Sequence, residues 1–135
     1  MDIIYPVFTL VLFTFVVLMA LATSRFVSVR RRDVNPKLFV LMAGYEPPVY
    51  VQKLTRNFAN LLEIPMFFYL LAVLMITLEI NDPILVNLAW LFVGTRILHS
   101  AIHITYNHVM QRFGVFLVSA ITLLVMWIRF IVILG

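Results

Sequence analysis

Four apolar stretches, each about 20 residues or longer, run through this chain of 135 residues and leave little room for any other fold. At 1.5 Å of rise per residue, about 20 helical residues cross a hydrocarbon core of about 30 Å. Helices are expected over about 4–27, 53–79, 83–107 and 113–134, with a first loop over about 28–52. Hydrophobic residues make up 64% of the sequence and charged residues 12%, against about 25% charged in a soluble domain. A short chain this apolar cannot hide its surface in one soluble core. The expected fold is all-α, a single integral membrane domain over 1–135 built as a four-helix bundle.

Local signals set the boundaries. The first stretch carries Ala20-Leu21-Ala22, which looks like a signal-peptidase site, but Asp2 is the only charge before it and the basic cluster follows it. A retained helix is expected. Asn81-Asp82-Pro83 is a turn signal, with Pro83 suited to the first turn of the next helix. Inside the first loop, Asn35-Pro36 and Glu46-Pro47-Pro48 are breakers around the mostly apolar Lys37 to Tyr45. That stretch suits either an interfacial segment lying on the headgroups or an ordered loop covering the bundle's end.

The basic residues orient the bundle. Arg25, Arg30, Arg31, Arg32, Lys37, Lys53 and Arg56 account for seven of the 10 Lys and Arg, while the turn from Glu79 to Asp82 has none. The first loop is therefore expected in the cytoplasm and both termini outside. Arg129 runs against this pattern, and a single Arg near a helix end can snorkel. The formal charge of +4 does not indicate nucleic acid, because the sequence offers no basic-aromatic platform for bases. With no cysteine, disulfides, thiolate metal sites and a cysteine nucleophile are excluded. Thiol chemistry here requires a thiol supplied by a substrate.

Two polar clusters interrupt the apolar stretches. A charge at a bilayer centre costs about 2.5–3.5 kcal/mol on insertion scales, so such residues are functional candidates by default. On the second span Arg56, Asn60 and Glu63 fall at i, i+4 and i+7, and on the third Arg96, His99 and His103 fall at i, i+3 and i+7. Each set shares one helix face. Both lie in the cytoplasmic half, with Arg96 deepest, about 20 Å from the outer surface. Arg112 opens the fourth helix at the same end, where its charge adds to that of the helix N-terminus. Arg25 on the first helix completes a ring drawn from all four spans. Arg forks suit carboxylates and Glu63 suits an ammonium, so the matching ligand is a small amine with several carboxylates, such as glutathione. The competing expectation is that Glu63 merely pairs with Arg56 or Arg96, but cations outnumber the one acid in this layer.

His99 and His103 form an H-x3-H pair, which can hold one metal from one helical face. Three histidines and one nearby carboxylate are too few for a membrane di-iron centre. No metal is expected, and hydrogen bonding within the polar layer is the role anticipated for both. His108 is expected in a solvated connection.

The stretch Arg56-Asn57-Phe58-Ala59-Asn60-Leu61-Leu62-Glu63-Ile64-Pro65 resembles the R-x3-N-x2-E-x-P motif of the MAPEG superfamily, membrane-associated proteins in eicosanoid and glutathione metabolism. The run Gly94-Thr95-Arg96-Ile97-Leu98-His99 is also similar, as is an Arg near the start of the last helix, here Arg112. The run His103-Ile104-Thr105-Tyr106-Asn107-His108 looks like a bacterial branch, which implies a bacterial inner membrane. The resemblance covers nearly the whole chain. It implies a homotrimer that binds glutathione between protomers near the cytoplasmic face. Arg56, Asn60 and Glu63 would hold the tripeptide, Arg96, His99 and His103 would line the site from the third helix, and Arg25 is a looser match. Arg112 matches the arginine that stabilises the thiolate in catalysis. The implied activity is a glutathione-dependent transferase or peroxidase, with glutathione as co-substrate and an apolar or lipid-like second substrate from the membrane.

Three departures qualify that expectation. Ala59 stands where glutathione-using members often carry Arg, His103 where a Tyr is common, and Phe113 where some active members place a small hydroxyl. They point away from eicosanoid-type reactions. They also motivate an alternative, a non-catalytic lipid- or ligand-binding membrane protein on the same scaffold. A proton-coupled exporter of similar size would carry its essential Glu in the first helix, which here has no charged residue between Asp2 and Arg25.

Overall fold

The computed structural model describes all residues, Met1–Gly135, and contains helices and connections but no strand. The helices are α1 (Ile4–Arg30), α2 (Leu38–Leu41), α3 (Val49–Glu63), α4 (Pro65–Thr77), α5 (Pro83–Ile104) and α6 (Val109–Leu134). Four rods are long and apolar enough to cross a membrane: α1, α3 with α4 over Val49–Thr77, α5, and α6. The chain is an integral multi-pass membrane protein.

The second span is broken where the sequence places a proline. Pro65 has no N–H to return to the carbonyl of Leu61, so the ladder lapses at Ile64, and Phe67 N–H bonds the Ile64 carbonyl at 3.1 Å, one residue short of the α-helical register. The break divides a polar half, α3, from the apolar α4.

Helix ends differ from the expected ones by a few residues, each for a local reason. α3 starts at Val49 directly after Pro48, with the Gln52 side chain donating to the Pro47 carbonyl at 2.8 Å. α5 begins at Pro83 under an Asp82 cap, whose Oδ1 accepts from Leu85 N–H at 2.8 Å. It stops at Ile104, three residues early, because Thr105 leaves helical geometry. α6 starts at Val109, four residues early, capped by His108, whose ring accepts from Gln111 N–H at 3.4 Å. His108 is exposed in the connection and also caps the first turn of α6.

Lipid tails are as apolar as the side chains, so close packing rather than water exclusion drives these helices together. On α1 the inward positions Ile3, Leu10, Val17 and Ser24 recur every seven residues, with Leu21 and Ser28 alongside. Ser24 and Ser28 donate to carbonyls of their own helix at 2.7 Å, and their small side chains let α3 pack closely. Phe68 on α4 fills the gap to α5 by stacking on Phe92, ring centroids 4.9 Å apart. α5 packs closely along α6, whereas the backbones of α1 and α6 make no close approach. Within the loop, Leu38 is buried while Val40 and Leu41 are 76% and 82% exposed.

Candidate functional site

The polar layer sits at the end of the bundle that carries Arg25 to Arg32. Its deepest member is Arg96, which is fully buried. Its Nη2 donates to the Asn60 carbonyl at 2.8 Å, tying α5 to α3 one turn before the break at Ile64. Its guanidinium also lies 6.0 Å from the centroid of the Phe116 ring on α6. Nε and Nη1 have no partner. A buried guanidinium with two idle nitrogens is costly unless water, a ligand or another chain satisfies it.

His99 and His103 occupy the same face of α5, each 3% exposed, with ring centroids 5.9 Å apart. Both have an unpartnered Nδ1. No group of three His, Cys, Asp or Glu side chains is placed to hold a metal ion.

Arg112 organises the site. It is the fourth residue of α6, in the first turn, and Nη1 donates to Asn107 Oδ1 at 2.6 Å. Two clefts meet at its side chain. One, of about 230 Å³, is lined by Asn60, His99, Val109, Arg112, Phe113 and Phe116. The other, of about 100 Å³, is lined by Val49, Gln52, Lys53, Arg56, His103, Asn107 and Arg112. The first is half apolar and half polar. The second collects Lys53, Arg56 and Arg112 with no acid, so it favours an anion. Arg112 thus stands between a cationic chamber and a half-apolar one, at the positive end of a helix dipole.

The other expected residues are placed differently. Arg56 and Glu63 share the outer face of α3 and are exposed, while Asn60 between them is half-buried. Glu63 pairs with neither Arg56 nor Arg96, since the one ion pair in the chain joins Arg129 to Asp82. The simple neutralising pair is therefore absent. Arg25 lines neither cleft, and its guanidinium lies 5.8 Å from the Phe39 ring centroid in the loop. The anticipated four-helix ring is in this chain a three-helix arrangement of α3, α5 and α6.

Sequence reasoning passed over Asn57. It is fully buried on α3 and both ends of its carboxamide lack partners. Its signal was available: Asn57 lies one turn before the core residue Leu61, on the inward side of α3. Ser100, equally buried with an unpartnered hydroxyl, was also missed. Lys53, whose Nζ donates to the Thr105 carbonyl at 2.8 Å, and Asn107 were expected only as the ends of two spans, and both line the cationic cleft.

Comparison with known proteins adds one finding. The model of the MAPEG family matches residues 3–132, nearly the whole chain. No curated protein and no solved structure matches it.

Proposed function

Because the chain belongs to the MAPEG family, we propose that it is a glutathione-dependent membrane transferase or peroxidase acting on an apolar electrophile or lipid hydroperoxide. The observation that carries this reading is the position of Arg112 between the two clefts. Glutathione brings two carboxylates and one ammonium. Lys53 and Arg56 suit a carboxylate, and Glu63 suits the ammonium. The thiol then lies beside Arg112 at the N-terminus of α6. A cation and a helix N-terminus lower a thiol's pKa from about 8.5, so the thiolate becomes available at neutral pH. Val109, Phe113 and Phe116 give the apolar electrophile a place next to it. The thiolate attacks the electrophilic carbon and expels its leaving group, or attacks the terminal peroxide oxygen, breaking the O–O bond to release an alcohol and leave a glutathione sulfenic acid. A second glutathione converts that acid to the disulfide and water.

The assembly proposed is a homotrimer. Glu63 and Arg56 are exposed within a span, where a charge facing lipid costs about 2.5–3.5 kcal/mol or more. A neighbouring protomer covers this face and completes the glutathione site, bringing Arg25 or another cation to it. On this reading the basic loop and the site lie on the cytoplasmic side of a bacterial inner membrane, with both termini outside.

The test is turnover of a chloronitrobenzene with glutathione by detergent-purified protein. Wild type forms the conjugate and Arg112→Ala loses it by about 100-fold or more. A folded wild type without turnover of this substrate or of cumene hydroperoxide contradicts the proposal.

One observation favours a second reading, a non-catalytic lipid-binding protein. A groove of about 550 Å³ between α5 and α6, lined by Leu98, Ile102, Gly114, Val115 and Val118 among others, shares no lining residue with either cleft of Arg112. Calorimetry separates the two. On the second reading glutathione gives no saturable heat, while fatty acid raises the melting temperature.

A further inference from the structure

The connection between α5 and α6 is four residues, Thr105 to His108, and its geometry is tightly held. Asn107 has φ 52°, in the left-handed region that Asn tolerates better than most side chains. Its backbone N–H donates to the Ile102 carbonyl at 2.8 Å, closing the end of α5. Lys53 ties the same connection to α3 through the Thr105 carbonyl. From this fixed point the Asn107 carboxamide reaches the guanidinium of Arg112, accepting from Nη1 at 2.6 Å.

We propose that Asn107 is a positioning residue for Arg112, holding its guanidinium across the two clefts without neutralising its charge. The inference rests on the glutathione reading of that site. Arg has five N–H donors in a rigid fork, so one tie at Nη1 fixes the plane and leaves other donors for a ligand. A misplacement of about 1 Å costs on the order of 100-fold in rate, which gives the tie a function beyond folding. The acceptor's neutrality is equally important. An aspartate would hold the fork as well, yet would cancel much of the positive charge that stabilises a thiolate.

The alternative is that Asn107 is only a turn residue, and Asn107→Gly separates the two roles. Glycine adopts φ near 52° without strain, so the turn survives while the carboxamide is lost. The measurement is thiolate absorbance of bound glutathione against pH, alongside the melting temperature and kcat/KM. Asn107→Gly is expected to melt with wild type while thiol ionisation shifts up by about one pH unit and kcat/KM falls about tenfold. Asn107→Asp, which keeps an acceptor, is expected to shift ionisation upward as well and to weaken glutathione binding. If Asn107→Gly folds and titrates like wild type, the positioning role is wrong and the glutathione site stands. Should that variant fail to fold, Asn107→Asp decides: an unshifted titration overturns the proposal. If wild type itself forms no thiolate, the glutathione reading fails and this inference fails with it.

Discussion

Arg129, near the end of α6, grips Asp82 with two parallel hydrogen bonds, Nε to Oδ1 at 3.0 Å and Nη2 to Oδ2 at 2.7 Å. The same Asp82 Oδ1 caps α5 through Leu85 N–H. One carboxylate therefore joins the start of α5 to the end of α6, at the opposite end of the bundle from the polar layer. It also explains why an arginine sits at the end that otherwise lacks basic residues: Arg129 is paired, rather than merely snorkelling.

The hydrogen bond from Arg129 holds the Asp82 carboxyl below its ordinary value of 3.8. A lowered folded-state pKa stabilises the fold above the unfolded value, and the benefit fades as pH falls through the folded one. Asp82→Asn keeps a capping oxygen but loses the ion pair. It should melt below wild type at neutral pH, and the two melts should converge below about pH 4. Asp82→Ala should lose a further ~1 kcal/mol with the cap. Parallel melts of wild type and Asp82→Asn in acid and at neutral pH check this.

Asn57 is buried with its carboxamide unpartnered, and leaving such a group dry costs about 1–3 kcal/mol. Replacement by a similarly sized apolar side chain removes that cost. Asn57→Leu should raise the melting temperature, by about 1 kcal/mol of added stability. Thermal melts in detergent read this out, and a marked drop would show that the carboxamide is satisfied in the assembled protein.

Arg96 gives the opposite pairing of effects. Its buried guanidinium has one hydrogen bond and two idle nitrogens, so Arg96→Met should leave the melting temperature unchanged or higher. Loss of the tie to Asn60, which lines the first cleft, should weaken glutathione by about tenfold or more. Calorimetry and thermal melts on the same preparation test both halves.

Glu63 is unpaired and exposed, free to meet an ammonium group. A charge-assisted hydrogen bond contributes about 1.5–3 kcal/mol, so Glu63→Gln should weaken glutathione about 10- to 100-fold. Removing the ligand's amine should reproduce the loss: a des-amino analogue should bind wild type and Glu63→Gln equally.

Some of this was legible in the sequence and some was not. Length and hydropathy gave the four rods and Asn81-Asp82-Pro83 marked the start of α5, while the break at Pro65 and the Asp82 cap emerged only from the structure. The i, i+4, i+7 spacing put Arg56, Asn60 and Glu63 on one face of α3. Spacing could not say that Glu63 stays unpaired, because ion pairing depends on how α3 is rotated against α5. Arg25 is the clearest case. Its position at the end of α1 suggested a place in the polar layer, but a residue's height says nothing of its azimuth, and it turns to Phe39 instead. Asn57 and Asn107 escaped for another reason. They are uncharged, and their roles come from burial and from a left-handed backbone that composition does not register.

The central claim is that the cationic cleft beside Arg112 holds glutathione. Isothermal titration of glutathione into the detergent-purified protein, repeated with Arg56→Ala, tests it most directly. Saturable binding to wild type, weakened about tenfold or more in the variant, is the predicted result. A folded wild type that gives no saturable heat, or binding unaffected by Arg56→Ala, would contradict it.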